Sequence, residues 1–458
     1  MVFSRSLRSL FFLVLLSTGL FVCGFPATGW AQDADADGIP DAHEAGIGGN
    51  PLRKDVFVEC AYMRIDLNGD GDGLDRGEHT HRMGNAAVQQ LIQTFANAPV
   101  TNPGGVCRGG PKNGLACSST TNCNNFPCSF TGITFHLDQN QALPDQRFLD
   151  FTNKKEGRDF FDLKATHFNF AARAPYYHYC ILAHNSSIEM GSASGQGEIF
   201  GNDFMTTLGG WASETGLPVG TVGDQVGTFL HELGHNFGLE HGGGSPLAPD
   251  ARVENYKPNY ISVMNYFFQV SGIRRAGVPP RFDFSRTQLP TLNENALNEM
   301  VGIQGGLDRT RFFCPNFELQ SAVGSGPIDW NCSSSLTTNA VANPNADRTF
   351  RALPLRDTLE GYNDWSNLRL NFRTSPVYDA SAGAGFGQHQ RYLGAYKPAT
   401  MTAGHGIDRE PEATLRGGRC KEFLTLSQTP TSQGIVFRTH VFSQRDDDGN
   451  DTGNHCEQ

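Results

Sequence analysis

Residues 231–241 read HELGHNFGLEH and set His231, Glu232, His235, Gly238 and His241 in the order HExxHxxGxxH. On a helix of ~3.6 residues per turn, side chains four apart share a face, so His231 and His235 can reach one metal ion with Glu232 beside it. Continued helix would carry His241 ~15 Å along the axis from His231, too far for an ion whose bonds to nitrogen are ~2 Å. The chain must turn back between His235 and His241. Gly238 stands between them, and without a Cβ it takes the left-handed conformation that ends a helix. The alternative, a helix that buries three histidines for packing alone, has to explain five coinciding positions.

Downstream, Ser262-Val263-Met264-Asn265-Tyr266 has the form of a Met-turn. With both signals in place, the chain resembles the metzincin zinc endopeptidases. The resemblance implies that His231, His235 and His241 bind zinc, that Glu232 is the general base, and that Met264 packs beneath the three histidines. It also implies that Tyr266 reaches the metal, as the matching tyrosine does in the astacin-like and serralysin-like branches. Taken alone, Met264 and Tyr266 would read as ordinary core. The run Gly242-Gly243-Gly244 matches no named branch, and the block from His241 through Asn255–Tyr260 looks like secreted bacterial members.

The expected fold class is α+β: a mixed twisted sheet with an active-site helix above a zinc cleft, an irregular lower subdomain, and a less regular C-terminal region. Strands are expected over 54–64, 133–137, 176–182 and 198–208, the last an edge that would hold an extended peptide. A helix is expected over 85–96, with Val88, Leu91, Ile92 and Phe95 on one face. The active-site helix should start near Thr221, and residues 293–301 should close the lower subdomain as a helix. The catalytic part then spans 54–302, with a Cys-rich insert at 105–129, and residues 303–458 form a C-terminal region of undefined fold.

Residues 1–31 read as an export signal: Arg5 and Arg8, an apolar run from Leu10 to Val22, and small residues around Gly29-Trp30-Ala31. Cys23 in a poor lipobox leaves lipoprotein anchoring as the alternative. Losing this segment takes the formal charge from −11 to −13, which argues against a nucleic-acid partner. No later stretch is apolar enough to span a bilayer. The expected location is therefore extracellular or periplasmic, and the expected partner a peptide or protein substrate. Cys23 would leave with the signal, so the 11 cysteines become an even number in an oxidising compartment. Cys107, Cys117, Cys123 and Cys128 should bridge among themselves, or hold a second zinc; Cys314 with Cys332 and Cys420 with Cys456 are further candidate pairs.

Asp33, Asp35, Asp37, Gly38, Asp41 and Glu44 fit the calcium loop D-x-D-x-D-G-x5-E, so residues 32–53 read as a calcium-loop leader resembling the thrombospondin type 3 kind. A solvated acidic leader is the alternative. Asp66, Asn68, Asp70 and Asp72 repeat the alternation, with Glu78 one position late. His79, His81, His178 and His184 read as surface or individually satisfied histidines. Phe267 and Phe268 read either as lining for a substrate pocket or as core.

The chemistry expected is hydrolysis of a peptide bond by metal-activated water, with zinc catalytic and calcium structural. A calcium-stabilised adhesion protein with a structural zinc is the alternative; a closed structural site has no use for a base such as Glu232. A zinc hydrolase of non-peptide substrates would carry the same motif.

Overall fold

Strand β1, Asp55–Ile65, is the organising element in the computed structural model. The structure describes residues 32–70, 75–151, 160–186, 193–243, 255–345, 358–375 and 378, with short strands at Thr429–Thr431 and Gly434–Val436. The proposed export signal, Asp72, Cys420 and Cys456 lie outside the described residues.

Helix α1, Asp41–Ile47, precedes β1. After it come β2, His79–Thr80, and helix α2, Asn85–Ala96. The Cys-rich insert folds as a small antiparallel sheet of β3, Thr101–Cys107, β4, Ala116–Cys117, and β5, Cys128–Thr131. It is stapled by Cys107–Cys123 and Cys117–Cys128, so these thiols are not a second zinc site. Strand β6, Thr134–Pro144, runs parallel beside β1. Helices α3, Phe160–His167, and α4, Phe170–Arg173, lead to β7, Tyr177–Ala183. Then follow β8, Gly195–Gly197, β9, Asp203–Thr207, and helix α5, Val222–Asn236.

The main sheet is mixed. β6, β1, β7 and β9 run parallel in that spatial order, β8 closes one edge antiparallel to β9, and β2 pairs with the end of β1. Every residue of β7 is buried, as expected for a strand covered on both faces. Alternation divides them: Cys180 and Leu182 face α2 and α5, whereas Tyr179 and Ile181 face the layer holding Phe151 and Phe160. Helix α2 joins the first layer through Ala87, Leu91 and Phe95, with Val88 and Ile92 partly buried beside them.

Two expectations about elements are corrected. The stretch 198–208 is not an edge strand; β9 lies between β7 and β8, and the edge is β8. Residues 293–301 form no helix: Leu292–Asn293 pairs with Thr358–Leu359, and Leu297 bridges Ala340. The reason is local competition, since Asn293 Oδ1 takes the Asn295 N–H and Asn298 Oδ1 takes the Met300 N–H.

Beyond α5 the chain builds short hairpins, Ile273–Arg275 with Val278–Arg281 and Arg309–Phe313 with Leu319–Val323, the latter beside the Cys314–Cys332 bridge. Phe267 and Phe268 are core: they join Ile303, Phe312 and Trp330 in a second apolar cluster. Trp365 enters the first cluster against Phe95 and Phe284. The described part of 303–375 thus shares both cores with the residues before it.

Candidate metal centre

Helix α5 begins at a reciprocal cap. Thr221 Oγ1 accepts the Asp224 N–H at 3.3 Å and Asp224 Oδ2 accepts the Thr221 N–H at 2.9 Å, so two donors that a helix start leaves over are satisfied. Val226, Phe229, Leu230 and Leu233 anchor it in the core. It ends in a Schellman turn: the Leu239 N–H reaches Gly234 O at 3.0 Å, the Gly238 N–H reaches His235 O at 2.8 Å, and Gly238 has φ +82°. The reversal brings the His241 ring to 5.1 Å from that of His231 and 5.2 Å from that of His235.

One ligand atom from each of the three histidines lies within 4.8 Å of the other two. His231 Nδ1 is 2.8 Å from Val263 O, and His235 Nδ1 is 2.8 Å from Leu239 O. A carbonyl only accepts, so each Nδ1 carries a proton. Burial pushes His231 down to about 3 and His235 and His241 well below their ordinary range, so all three are neutral. The Nε2 atoms of His231 and His235 therefore present bare lone pairs to one another, 3.0 Å apart. That arrangement is repulsive by itself and favourable around a cation; ligands ~2.0 Å from a tetrahedral ion stand ~3.3 Å apart. The residues fit a metal.

Glu232 is fully buried beside these ligands and against β8. A Cβ at Gly195 would lie 2.8 Å from Glu232 Cδ, and one at Gly197 would lie 3.1 Å from Glu232 Oε2. Both glycines thus make room for the carboxylate, a role the sequence motif does not announce. Asn236 ties the same hairpin down, its Nδ2 donating to Glu198 O and Asp203 O at 2.9 Å each. His178 is a satisfied core histidine, with Nδ1 3.1 Å from Asn236 Oδ1.

The turn that carries Met264 lies beneath. Val263 supplies the carbonyl that orients His231, and Met264 is fully buried against Gly234. Tyr266 packs against these histidines with its ring tilted, 4.2 Å from His241 and 5.8 Å from His231 between ring centroids. The turn is held from a distance by Asp364, which accepts the Tyr260 hydroxyl at 2.7 Å and the Ser285 N–H at 2.9 Å, and also takes Ser262 Oγ. Nothing in the local sequence marks Asp364. Of Glu294 and Glu299, the two carboxylates that a site of two histidines and one glutamate could draw on, Glu299 accepts the Asn331 and Thr337 N–H groups.

The first acidic loop is built into the fold. Asp35, Asp37 and Glu44 are buried, and Asp37 Oδ2 accepts the Asp55 N–H of β1 at 2.8 Å, so a solvated leader is ruled out. Ligand oxygens of Asp33, Asp35 and Asp37 converge, and both Glu44 oxygens have no hydrogen-bond partner among the described residues. Burial, with the neighbouring carboxylates adding to it, raises Asp35 to about 6, Asp37 to about 7 and Glu44 to about 8. Asp41 has a different task, its Oδ1 accepting the Ala34 N–H. In the second loop Asp66 and Asp70 converge with Glu78, so the late glutamate does arrive. Asn68 is exposed and donates through Nδ2 to Asp70 Oδ2 and Asp75 Oδ2.

One expectation fails plainly. His79, His81 and His184 are neither on the surface nor individually satisfied; they converge with Asp145. Among the described residues, no helix is long and apolar enough to cross a membrane. No protein-family model matches this sequence, and no curated protein or solved structure matches it.

Proposed function

We propose that this chain is an exported, metzincin-like zinc endopeptidase, with His231, His235 and His241 as ligands and Glu232 as general base. The observation that carries the reading is the pair of bare Nε2 atoms 3.0 Å apart, each imidazole pinned through Nδ1 to a backbone carbonyl, with a buried carboxylate next in sequence. Zinc in this cradle supplies Lewis acidity, lowering the pKa of a water to ~7 and polarising a carbonyl. Glu232 takes the proton of the attacking water and delivers it to the leaving amine. Tyr266, packed against His241, donates its hydroxyl to the oxyanion that develops. An extended peptide would pair with β8, the edge strand beside Glu232 among the described residues.

The mixed sheet with an antiparallel edge strand against the helix supports the metzincin assignment. The Asp33, Asp35, Asp37 and Glu44 cluster supports a structural calcium, since hard oxygen donors suit it and imidazole sites do not. Export follows from residues 1–31, and three disulfide bridges agree with an oxidising location.

The test is Glu232→Gln in the zinc-loaded protein, with cleavage of a denatured-protein digest followed by mass spectrometry. Bound zinc should be unchanged and turnover should drop at least ~10²–10⁴-fold. Wild-type cleavage by the variant would sink the reading. Hydrolysis of ester substrates with no peptide products from either protein would move the activity to another acyl class.

A further inference from the structure

His79, His81, His184 and Asp145 take no part in the proposed hydrolysis, yet they form a second convergence of ligand atoms. They come from three places at one end of the sheet. His79 lies in β2 opposite Ile65, and the His81 N–H donates to Met63 O at 2.9 Å, so both sit where β1 ends. Asp145 directly follows β6, its N–H on Arg64 O at 3.0 Å. His184 directly follows β7.

The distances describe a coordination polyhedron. His184 Nδ1 is 3.1 Å from His79 Nε2 and 3.2 Å from His81 Nε2. Asp145 Oδ1 is 3.7 Å from His79 Nε2, 3.7 Å from His81 Nε2 and 3.6 Å from His184 Nδ1. A tetrahedral ion with bonds of ~2.0–2.1 Å has ligand–ligand edges of ~3.3–3.4 Å, in the middle of these values. Hydrogen bonding explains the cluster less well. The three contacts to Asp145 are too long for it, and one His184 Nδ1, which offers a single proton or a single lone pair, faces two imidazole nitrogens at once.

The surroundings hold the rings in place. His79 and His81 are buried. Gly209 backs His184: its N–H reaches His184 O at 2.5 Å, and a Cβ there would lie 2.6 Å from His184 Cγ. Residues 209–220 then lead into the cap of α5, with the Gly220 N–H on Trp211 O.

We propose that His79, His81, His184 and Asp145 bind a second zinc ion in a closed, four-coordinate structural site. Three imidazoles and one carboxylate suit zinc, and with all four positions filled by protein the ion has no place for water or substrate. It would clip together the ends of β1, β6 and β7 and hold the segment from which the active-site helix starts.

The test is zinc per full-length chain, by plasma mass spectrometry after dialysis without chelator. Wild type should carry two equivalents, His81→Ala one, and His235→Ala one. A single wild-type equivalent that is lost in His81→Ala and kept in His235→Ala would strike the peptidase reading and leave this one standing. A wild-type equivalent that survives His81→Ala, with no second one present, overturns the proposal. If His81→Ala does not fold, His81→Cys in cobalt-loaded protein replaces it. The folded variant should show a thiolate-to-cobalt charge-transfer band in the near ultraviolet that wild type lacks, and its absence is equally an overturning result.

Discussion

Gly234 and Met264 are in contact across the floor of the metal centre, so closely that a Cβ on Gly234 would collide with the Met264 sulfur and lie 2.8 Å from Phe284 Cε1. Gly234 sits between His231 and His235, so the turn that carries Met264 packs directly on the helix backbone. Helix propensity favours Ala over Gly by about 1 kcal/mol, but overpacking a full core costs about 1–3 kcal/mol. Gly234→Ala should therefore lose stability and weaken metal affinity, read by denaturant unfolding and zinc titration. A variant more stable than wild type would mean that Met264 has room to move.

Tyr266→Phe keeps the ring whose centroid lies 4.2 Å from that of His241 and removes only the hydroxyl. Zinc content should be unchanged. If the hydroxyl serves the oxyanion, kcat should fall ~10²–10³-fold with KM little altered. Equal kcat in both proteins would reduce Tyr266 to a packing residue.

Glu44 is buried among Asp35, Asp37 and Asp55, and a bound cation relieves their repulsion. Millimolar calcium should raise the melting temperature of zinc-loaded protein, with magnesium as control; saturation at ~100 times Kd corresponds to about 2.7 kcal/mol. Glu44→Gln should lose most of that response. An identical melt with and without calcium would leave the cluster without an ion.

Burial pushes the Asp364 carboxyl up to about 6, against the hydrogen bonds from Ser262, Ser285 and Tyr260 that favour the ionised form. Its folded pKa lies above the unfolded one, so its contribution to stability is full below about pH 4 and is lost as pH rises through about 6. Asp364→Asn does not titrate. Measured by denaturant unfolding, the variant should gain on wild type between pH 5 and pH 7. A constant difference across that interval would show that the carboxyl keeps an ordinary pKa.

The sheet strands and α2 were legible because period-two and period-3.6 patterns report local burial: β1, β7 and α2 lie close to where periodicity puts them, whereas β6 starts as expected but runs on to Pro144. The stretch 293–301 was misread because its apolar spacing is helical while its asparagines cap the backbone in turns. The edge strand was missed because Gly195-Gln196-Gly197 carries no hydrophobic pattern at all.

By itself, the sequence determined that His231, His235 and His241 converge with Glu232 beside them, and the turn that returns His241, because all lie within one helix and one reversal, where fixed spacing implies fixed geometry. The tertiary structure alone decided which carbonyls orient those imidazoles, that Gly195 and Gly197 make room for Glu232, and that Asp364 secures the turn at Ser262. It also decided that His79, His81 and His184, up to 105 positions apart in the chain, meet at Asp145. Such contacts depend on strand order and register, which are set by the burial of the whole sheet and leave no short-range trace in the residues they bring together.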